Sequence, residues 1–285
     1  LGQDRNLYLD RIEVNGRVLG AKDAGVVLDI GSGPSAFDSF NTASGSGTMS
    51  TNSALRFGLQ SADLLDGGGG EDEMDGGVGN DLYLVDNSAD RVIERAFGGH
   101  DIVRASVGYA LSEYIEDIEL TGSASIDATG NALRNTLRGN VGSNRLDGGA
   151  GNDLLVGGAG NDIYVLGRGS ASDTVQENDS TGGNSDLAQF QSDILPDQLW
   201  FRRVGSSLEV SVIGTEDRLN IGNWYNGSAY RVEQFRTSDG RTLLDSQVQG
   251  LVDAMAGFAP PPMGQTHLTE SVASQLNATI AAHWQ

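Results

Sequence analysis

The chain has 285 residues, enough for two or three domains. It contains 39 Asp and Glu but only 18 Lys and Arg, and the net charge of −21 argues against nucleic-acid and anionic-lipid partners, which require basic surface. The absence of cysteine excludes disulfides and thiolate metal sites, and no run is long and apolar enough to span a bilayer. The first residue is Leu and no signal peptide is present, so we expect a fragment or a processed product of something longer.

Residues 1–30 have the apolar pattern of short strands, with Asn15-Gly16 typical of a turn. The string from Asp4 to Gly16 resembles the closing strands of calcium-dependent xylan-binding modules. The resemblance implies that residues 1–45 are a remnant of a carbohydrate-binding β-sandwich, with Asp4 as a ligand-binding residue. An ordinary edge hairpin explains the same strings, and both interpretations stay open.

A nine-residue pattern begins after a Gly-, Ser- and Thr-rich stretch over residues 31–57, which is typical of a linker or an irregular first coil. The pattern is G-G-x-G-x-D-x-U-x, where U is large and apolar. It fits four segments in frame: 67–75, 76–84, 148–156 and 157–165. Weaker copies lie at 58–66, 85–93, 130–138 and 139–147, the last two with Asn in place of Asp. A fixed period with fixed chemistry indicates a repeat architecture.

The residue types in this unit favour calcium. Calcium takes six to eight oxygens at about 2.3–2.6 Å with loose angular demands. Glycines with φ > 0 let a turn aim several carbonyl oxygens at one point, the Asp adds charge, and the apolar eighth residue points inward from a short strand. A flexible linker would not place large apolar residues at every ninth position, and a phosphate-binding loop needs a following helix and usually a Lys.

The unit resembles the calcium-binding nonapeptide of the RTX (haemolysin-type) family. The resemblance implies an all-β fold, a parallel β-roll in which two successive units make one coil and calcium lies between turns two units apart. Carried over by position, it predicts five facing pairs: Asp63 with Asp81, Asp72 with Asp90, Asn135 with Asp153, Asn144 with Asp162, and Asp173 beside Asp153 after a two-residue slip. The two Asn positions keep an oxygen but lose a charge.

The resemblance implies about four to six calcium ions in all, held by turn carbonyls and by the sixth residue of each unit. The implied metal ligands are Asp63, Gly68, Gly70, Asp72, Gly77, Gly79, Asp81, Asp90, Asn135, Asn144, Gly149, Gly151, Asp153, Gly158, Gly160, Asp162 and Asp173.

Residues 94–129 are less regular but resemble the spacer between repeat blocks in RTX proteins. We expect their apolar segments to extend the same roll in one continuous stack, so that the β-roll spans residues 46–182. Alternating strands follow over residues 183–249, where Asn223-Trp224-Tyr225 resembles part of a haemolysin-type associated region. Such a β-rich segment is expected to cap the open end of the roll, because a bare last coil exposes core and strand edges.

Helical spacing appears in the tail, with Pro260-Pro261-Pro262 as a break. The first predicted stripe is Val248, Leu251, Val252 and Met255. The second is Val272, Leu276, Ile280 and Trp284, with Thr269 as its cap. Residues 250–285 resemble the natural end of RTX proteins, which implies an uncleaved C-terminal signal for a type I secretion apparatus. A helical hairpin packed on the cap explains the same pattern, and the two interpretations are compatible.

No catalytic motif is evident. The chain lacks H-E-x-x-H and G-x-S-x-G, and its three histidines lack metal-site spacing. Acid pairs such as Glu94 and Glu116 leave glycoside hydrolysis open as a minor alternative. We therefore expect a chain that is not itself an enzyme, with any catalysis of the parent protein upstream of Leu1.

Two functions remain. The first is a secreted bacterial protein, extracellular or at the cell surface, that folds on calcium and has a structural, adhesive, surface-layer or matrix role, with self-assembly or polysaccharide as candidate partners. The second is the folding and export module of a secreted polysaccharide-acting enzyme joined to a carbohydrate-binding module.

Overall fold

The computed structural model describes residues 62–181, 183–191 and 193–285, together with the backbone of four short strands nearer the N-terminus. It divides into two compact units, Leu1–Thr121 and Gly122–Gln285. Each unit is built mainly of parallel strands, so the predicted all-β parallel solenoid is confirmed.

The first unit contains two sheets of short parallel strands. Its strands are β1 (Arg11–Val14), β2 (Arg17–Gly20), β3 (Ser46–Thr48), β4 (Ala54–Arg56), β5 (Leu64–Asp66), β6 (Glu73–Asp75), β7 (Leu82–Val85), β8 (Arg91–Ile93), β9 (Ile102–Ala105), β10 (Tyr109–Ala110) and β11 (Asp117–Leu120). Strands β3, β5, β7, β9 and β11 pair in that order on one side, and β4, β6 and β8 on the other. Strands β1 and β2 form a separate antiparallel pair.

The strand register shows the length of one coil. Leu65 of β5 lies beside Tyr83 of β7, and Met74 of β6 lies beside Val92 of β8. Both pairs are 18 residues apart, so two nine-residue repeats make one coil, and each coil gives one strand to each sheet. Strands β9 and β11 extend the β5–β7 ladder, as predicted for the less regular segment of this unit.

The second unit repeats the arrangement and then closes it. Its strands are β12 (Ala128–Thr129), β13 (Thr136–Arg138), β14 (Arg145–Asp147), β15 (Leu154–Val156), β16 (Ile163–Leu166), β17 (Ser172–Val175), β18 (Leu187–Phe190), β19 (Leu199–Val204), β20 (Ser207–Val212), β21 (Arg218–Ile221), β22 (Gln234–Arg236) and β23 (Thr242–Leu244). One sheet runs β13, β15, β17, β21 in parallel, and the other β12, β14, β16, β18, β22.

The core of each coil is the eighth residue of each repeat unit. In the three-residue strands, the central side chain is buried while its neighbours are less so, because successive strand residues point to opposite faces. The buried series is Leu65, Met74, Tyr83, Val92, Leu137, Leu146, Leu155 and Tyr164.

Antiparallel strands end both sheets of the second unit. Strand β20 pairs with β21 and β19 with β20, while β23 pairs with β22. The segment predicted as a cap therefore continues the hydrogen-bond ladders of the roll before closing them. The predicted boundaries after residues 45, 182 and 249 stay predictions, since compactness divides the chain only between Thr121 and Gly122.

Two helices follow, α1 (Asp245–Met255) and α2 (Glu270–His283). All four residues of the first predicted stripe are buried, as are Leu276 and Ile280 of the second. Thr269 is the N-cap residue, but its side chain makes no capping hydrogen bond; its backbone carbonyl accepts from Val272 and Ala273 instead. Within the described residues, neither helix has the length and apolarity needed to cross a membrane.

The C-terminus is docked on the closing strands. Thr242 and Gln285 exchange two backbone hydrogen bonds of 2.7 and 3.0 Å, and the buried Trp284 ring lies 6.4 Å from that of Phe201. Helix α2 approaches α1 closely because Gly250 has no side chain where the His283 ring lies. The tail is thus a helical hairpin packed on the closing strands.

Candidate calcium sites

The turns of the repeats have one recurring backbone shape. At the second and fourth positions of the four full units, φ lies between 75° and 149°, a region that glycine enters at little cost. These eight glycines are the predicted ones: Gly68, Gly70, Gly77, Gly79, Gly149, Gly151, Gly158 and Gly160.

Turns one coil apart are stacked in close contact. A Cβ placed on Gly149 would lie 2.5 Å from the carbonyl oxygen of Asn131, and one on Gly158 would lie 2.7 Å from that of Asn140. The carbonyl oxygens of one turn therefore lie directly against the glycines of the next. This is how backbone oxygens, which calcium binds readily, come to line the space between turns.

The sixth residues of successive coils form aspartate columns. We use this name for four series: Asp63, Asp81, Asp101; Asp72, Asp90; Asn135, Asp153, Asp173; and Asn144, Asp162, Asp186. At each step, the Oδ1 of the later residue accepts the backbone N–H of the earlier one, at 2.8–3.0 Å. All five facing pairs named in the sequence analysis are brought together in this way.

The second oxygen of several column residues is left over. In the described part of the chain, the Oδ2 atoms of Asp81, Asp101 and Asp162 are buried and have no hydrogen-bond partner. A buried acceptor without a partner carries the full cost of its lost hydration. Together with the nearby carbonyls, these atoms make an all-oxygen donor set that fits a hard cation such as calcium.

Two protein families match parts of the repeats and of the closing strands. The family described as RTX calcium-binding nonapeptide repeat (4 copies) matches residues 57–83 and 129–170. The family described as Haemolysin-type calcium binding protein related domain matches residues 208–247. This chain carries RTX calcium-binding repeats. The described segment 62–181 contains most of the matched repeat residues, and calcium is the ion that such repeats bind.

Not every predicted RTX ligand has a free oxygen. Asn144 accepts the Asn140 N–H through Oδ1 and donates from Nδ2 to the Ile126 carbonyl, so both polar atoms of its amide are already hydrogen-bonded. Asp90 also uses both oxygens, because its Oδ2 accepts the backbone N–H groups of Asp86 and Asn87 at 3.3 and 3.2 Å. The ligand roles of these residues stay predictions, as does that of Asp4, which lies outside the described residues.

The columns continue beyond the residues that sequence reasoning identified. Asp101 and Asp186 join them at intervals of 20 and 24 residues, and their own N–H groups donate to Glu116 and Glu233 at 2.8 Å. The nine-residue motif does not include them, because insertions interrupt its spacing. The signal that was available was an Asp shortly before an apolar strand, as in Asp101-Ile102-Val103.

The aspartate columns concentrate negative charge in the interior of the roll. In the described part of the chain, no basic side chain forms an ion pair with Asp81, Asp101, Asp153, Asp162, Asp173 or Asp186. Burial raises the pKa of Asp101 and Asp162 to about 6 and that of Asp186 to about 7. Burial, and then the charge of Asp153, also raises the pKa of Asp173.

Asp153→Asn tests whether the column charge binds calcium. Asn keeps an acceptor for the Asn135 N–H and removes one charge, and Asn is already tolerated at two column positions. We expect the variant to bind fewer ions and to lose about 2.7 kcal/mol of unfolding free energy at calcium 100 times the dissociation constant. Isothermal titration calorimetry and chemical unfolding measure both. The control Asp253→Asn lies exposed on α1 and should match the wild type; equal behaviour of the two variants would contradict the assignment.

Low pH should partly replace calcium in stabilising the fold. A carboxyl whose folded pKa is raised stabilises the fold fully below its unfolded pKa, about 3.9, and loses that contribution as pH rises through the folded value. For Asp101, Asp162 and Asp186 the loss ends near pH 6–7. In chelator, lowering the pH from about 7.5 to about 5 should therefore increase the β signal in far-UV circular dichroism.

Asp101→Asn should reduce this gain in chelator, whereas Asp253→Asn should leave it unchanged. In calcium the sign reverses, because protons compete with the ion for the carboxylates. A chelated chain whose spectrum does not change over this pH interval would show that the columns do not control folding.

Proposed function

We propose that this chain is part of a secreted calcium-dependent protein whose β-roll forms when extracellular calcium enters the aspartate columns. The observation that carries the proposal is the column itself: buried carboxylates one coil apart, with leftover oxygens and no basic partner among the described residues. Like charges in a low-dielectric interior repel each other strongly. A divalent cation between them reverses that sign.

The energies are large enough for calcium to decide whether the roll folds. Calcium sites of extracellular modules have dissociation constants of roughly 10⁻⁴–10⁻³ M. At 100 times the dissociation constant, each ion adds about 2.7 kcal/mol to stability. A few ions therefore equal much of the 5–15 kcal/mol that is typical of a whole domain. With no cysteine in the chain, calcium takes the place that disulfides hold in many extracellular folds.

This affinity range makes calcium a sensor of compartment. Resting cytosolic calcium lies far below it, so the repeats stay unfolded inside the cell, which suits passage through a secretion channel. Outside, the ions bind and the roll forms. RTX repeat proteins are typically secreted, which supports the same order of events.

The tail has two states in this scheme. Before export, residues 250–285 are free to bind a type I secretion apparatus. After folding, Trp284 is buried and Gln285 is hydrogen-bonded to Thr242, so the tail is held against the closing strands. Docking of the tail thus follows export and does not compete with it, provided that the repeats fold only outside.

For the folded protein we propose a structural, adhesive, surface or matrix role. The repeats form a calcium-binding scaffold, and the described columns explain the acid clusters without catalysis. Glu116, one member of the acid pair considered for glycoside hydrolysis, accepts the Asp101 N–H and so ends a column. The polysaccharide-acting alternative depends on the segment around Asp4, outside the described residues, and stays a prediction.

Calcium titration of the intact chain tests the proposal. In chelator at about pH 7.5 the far-UV circular dichroism should show little β-structure, and it should rise cooperatively with a midpoint of roughly 10⁻⁴–10⁻³ M calcium. Magnesium is the control, because its smaller size and strict octahedral geometry suit these turns poorly. Identical spectra with and without calcium, or saturation at submicromolar calcium, would refute the mechanism.

The role of the tail in export is tested by expressing the same chain in a host that has a type I secretion apparatus. Deleting residues 250–285 should abolish its appearance in the medium. Asp153→Asn, which leaves the tail intact, should be exported at the wild-type level and then fold less completely. Undiminished export of the truncated chain would remove the tail from the proposal.

A further inference from the structure

Two groups of three buried carboxylates differ from the other steps of the aspartate columns. One comprises Asp81, Glu94 and Asp101 in the first unit, and the other Asp162, Glu177 and Asp186 in the second. Within each group, one carboxylate oxygen of every residue lies within 4.8 Å of one from each of the others. All six side chains are at least nine-tenths buried. The repeat pattern contains no glutamate, so both groups add a residue type that it does not predict.

The two glutamates occupy the same place in the repeat. Each follows the buried valine of a strand by two residues, Glu94 after Val92 and Glu177 after Val175, which is where the next unit would begin with its first glycine. In a full unit a side chain cannot fit there, since a Cβ on Gly148 would lie 2.9 Å from the Asp153 Cβ and closer still to its Oδ2.

Insertions make room for the glutamates. Gly76 and Asp81 are five positions apart, as in every full unit, whereas Glu94 and Asp101 are seven apart and Glu177 and Asp186 nine. The longer turns thus follow the replacement of glycine by glutamate in both units, and the column hydrogen bonds to Asp101 and Asp186 survive at 2.8 Å.

A buried tyrosine holds each glutamate through a hydrogen bond that the glutamate accepts. The hydroxyl of Tyr83 accepts the Gly76 N–H at 2.9 Å and donates to Glu94 Oε1. Tyr164 likewise accepts the Gly157 N–H at 3.0 Å and donates to Glu177 Oε1. In both units the hydroxyl proton is directed at the glutamate. Oε1 is therefore an acceptor and carries no proton of its own.

Three of the remaining oxygens point to a cation, whereas Glu94 Oε2 accepts the Arg95 N–H and Asp186 Oδ2 accepts from the Asn184 amide. Asp81 Oδ2, Asp101 Oδ2 and Asp162 Oδ2 have no hydrogen-bond partner in the described chain.

We propose that each cluster is a three-carboxylate calcium site, in which a tyrosine-positioned glutamate joins two column aspartates. The proposal rests on the proposed function, since it assumes that the columns bind calcium. Ligand charge is a main determinant of calcium affinity, so these two sites bind more tightly than the two-carboxylate steps and are occupied first. Each compact unit then has one site from which its coils assemble.

Glutamine substitution at both sites tests this inference. In Glu94→Gln and Glu177→Gln, the amide oxygen still accepts from the tyrosine hydroxyl, but one charge is lost. Calcium titration calorimetry of the double variant should show that the two tightest ions are missing or weakened roughly tenfold or more, with the weaker phase retained. The matched controls Glu113→Gln and Glu216→Gln change exposed glutamates, one in each unit, and should titrate like the wild type.

An unchanged isotherm for the double variant would overturn the three-carboxylate sites while leaving calcium-driven folding of the wild type intact. Failure of the wild type to bind calcium would refute the proposed function instead.

A direct measurement applies if the double variant does not fold. Wild-type crystals grown in calcium chloride should give anomalous difference peaks about 2.3–2.6 Å from oxygens of Glu94 and Glu177. Peaks between column aspartates with none at either glutamate would overturn the inference.

Discussion

The structure depends on one electrostatic constraint, the stacking of carboxylates in a buried column. The Oδ1 atoms of the columns accept backbone N–H groups from the preceding coil, so they join the coils as the strand ladders do. The charge on the same carboxylates opposes that assembly, because each lies one coil from the next and is largely removed from water. Attraction through hydrogen bonds and repulsion through charge therefore reside in the same side chains, and in the proposed mechanism a bound cation lets the attraction prevail.

Few residue types build the rest of each coil. Glycines with positive φ bring one turn against the carbonyls of another, and the eighth residue supplies the core of a very thin solenoid. Such a core is small, since each three-residue strand contributes one buried apolar side chain at its centre. The roll thus lacks the apolar burial that stabilises larger domains, which is consistent with a fold whose stability comes largely from metal.

The segments that depart from the repeat lie where the aspartate columns and the sheets end. Asp101 and Asp186 donate to Glu116 and Glu233, so the last steps of two columns meet carboxylates from outside the repeat. In the second unit, antiparallel strands close both sheets, and the C-terminal residue pairs with Thr242. These features protect strand edges that would otherwise be open to aggregation. They also place the tail in the folded protein, which restricts any role in export to the time before folding.

The sequence by itself determined the repeat period of nine and the series of core residues, because a fixed period places equivalent residues at equivalent points in space, whereas the coil of 18 residues and the five facing pairs came from the resemblance to RTX proteins. It also indicated both helices through their apolar spacing. Only the tertiary structure decided where the columns continue, because insertions before Asp101 and Asp186 break the period without breaking the stack. It likewise decided that the Asn144 amide is hydrogen-bonded both within its own turn and to the turn before it, and that Tyr83 and Tyr164 hold Glu94 and Glu177. The tyrosine–glutamate contacts join residues 11 and 13 positions apart in sequence, on different turns, so they exist only once the coils are stacked.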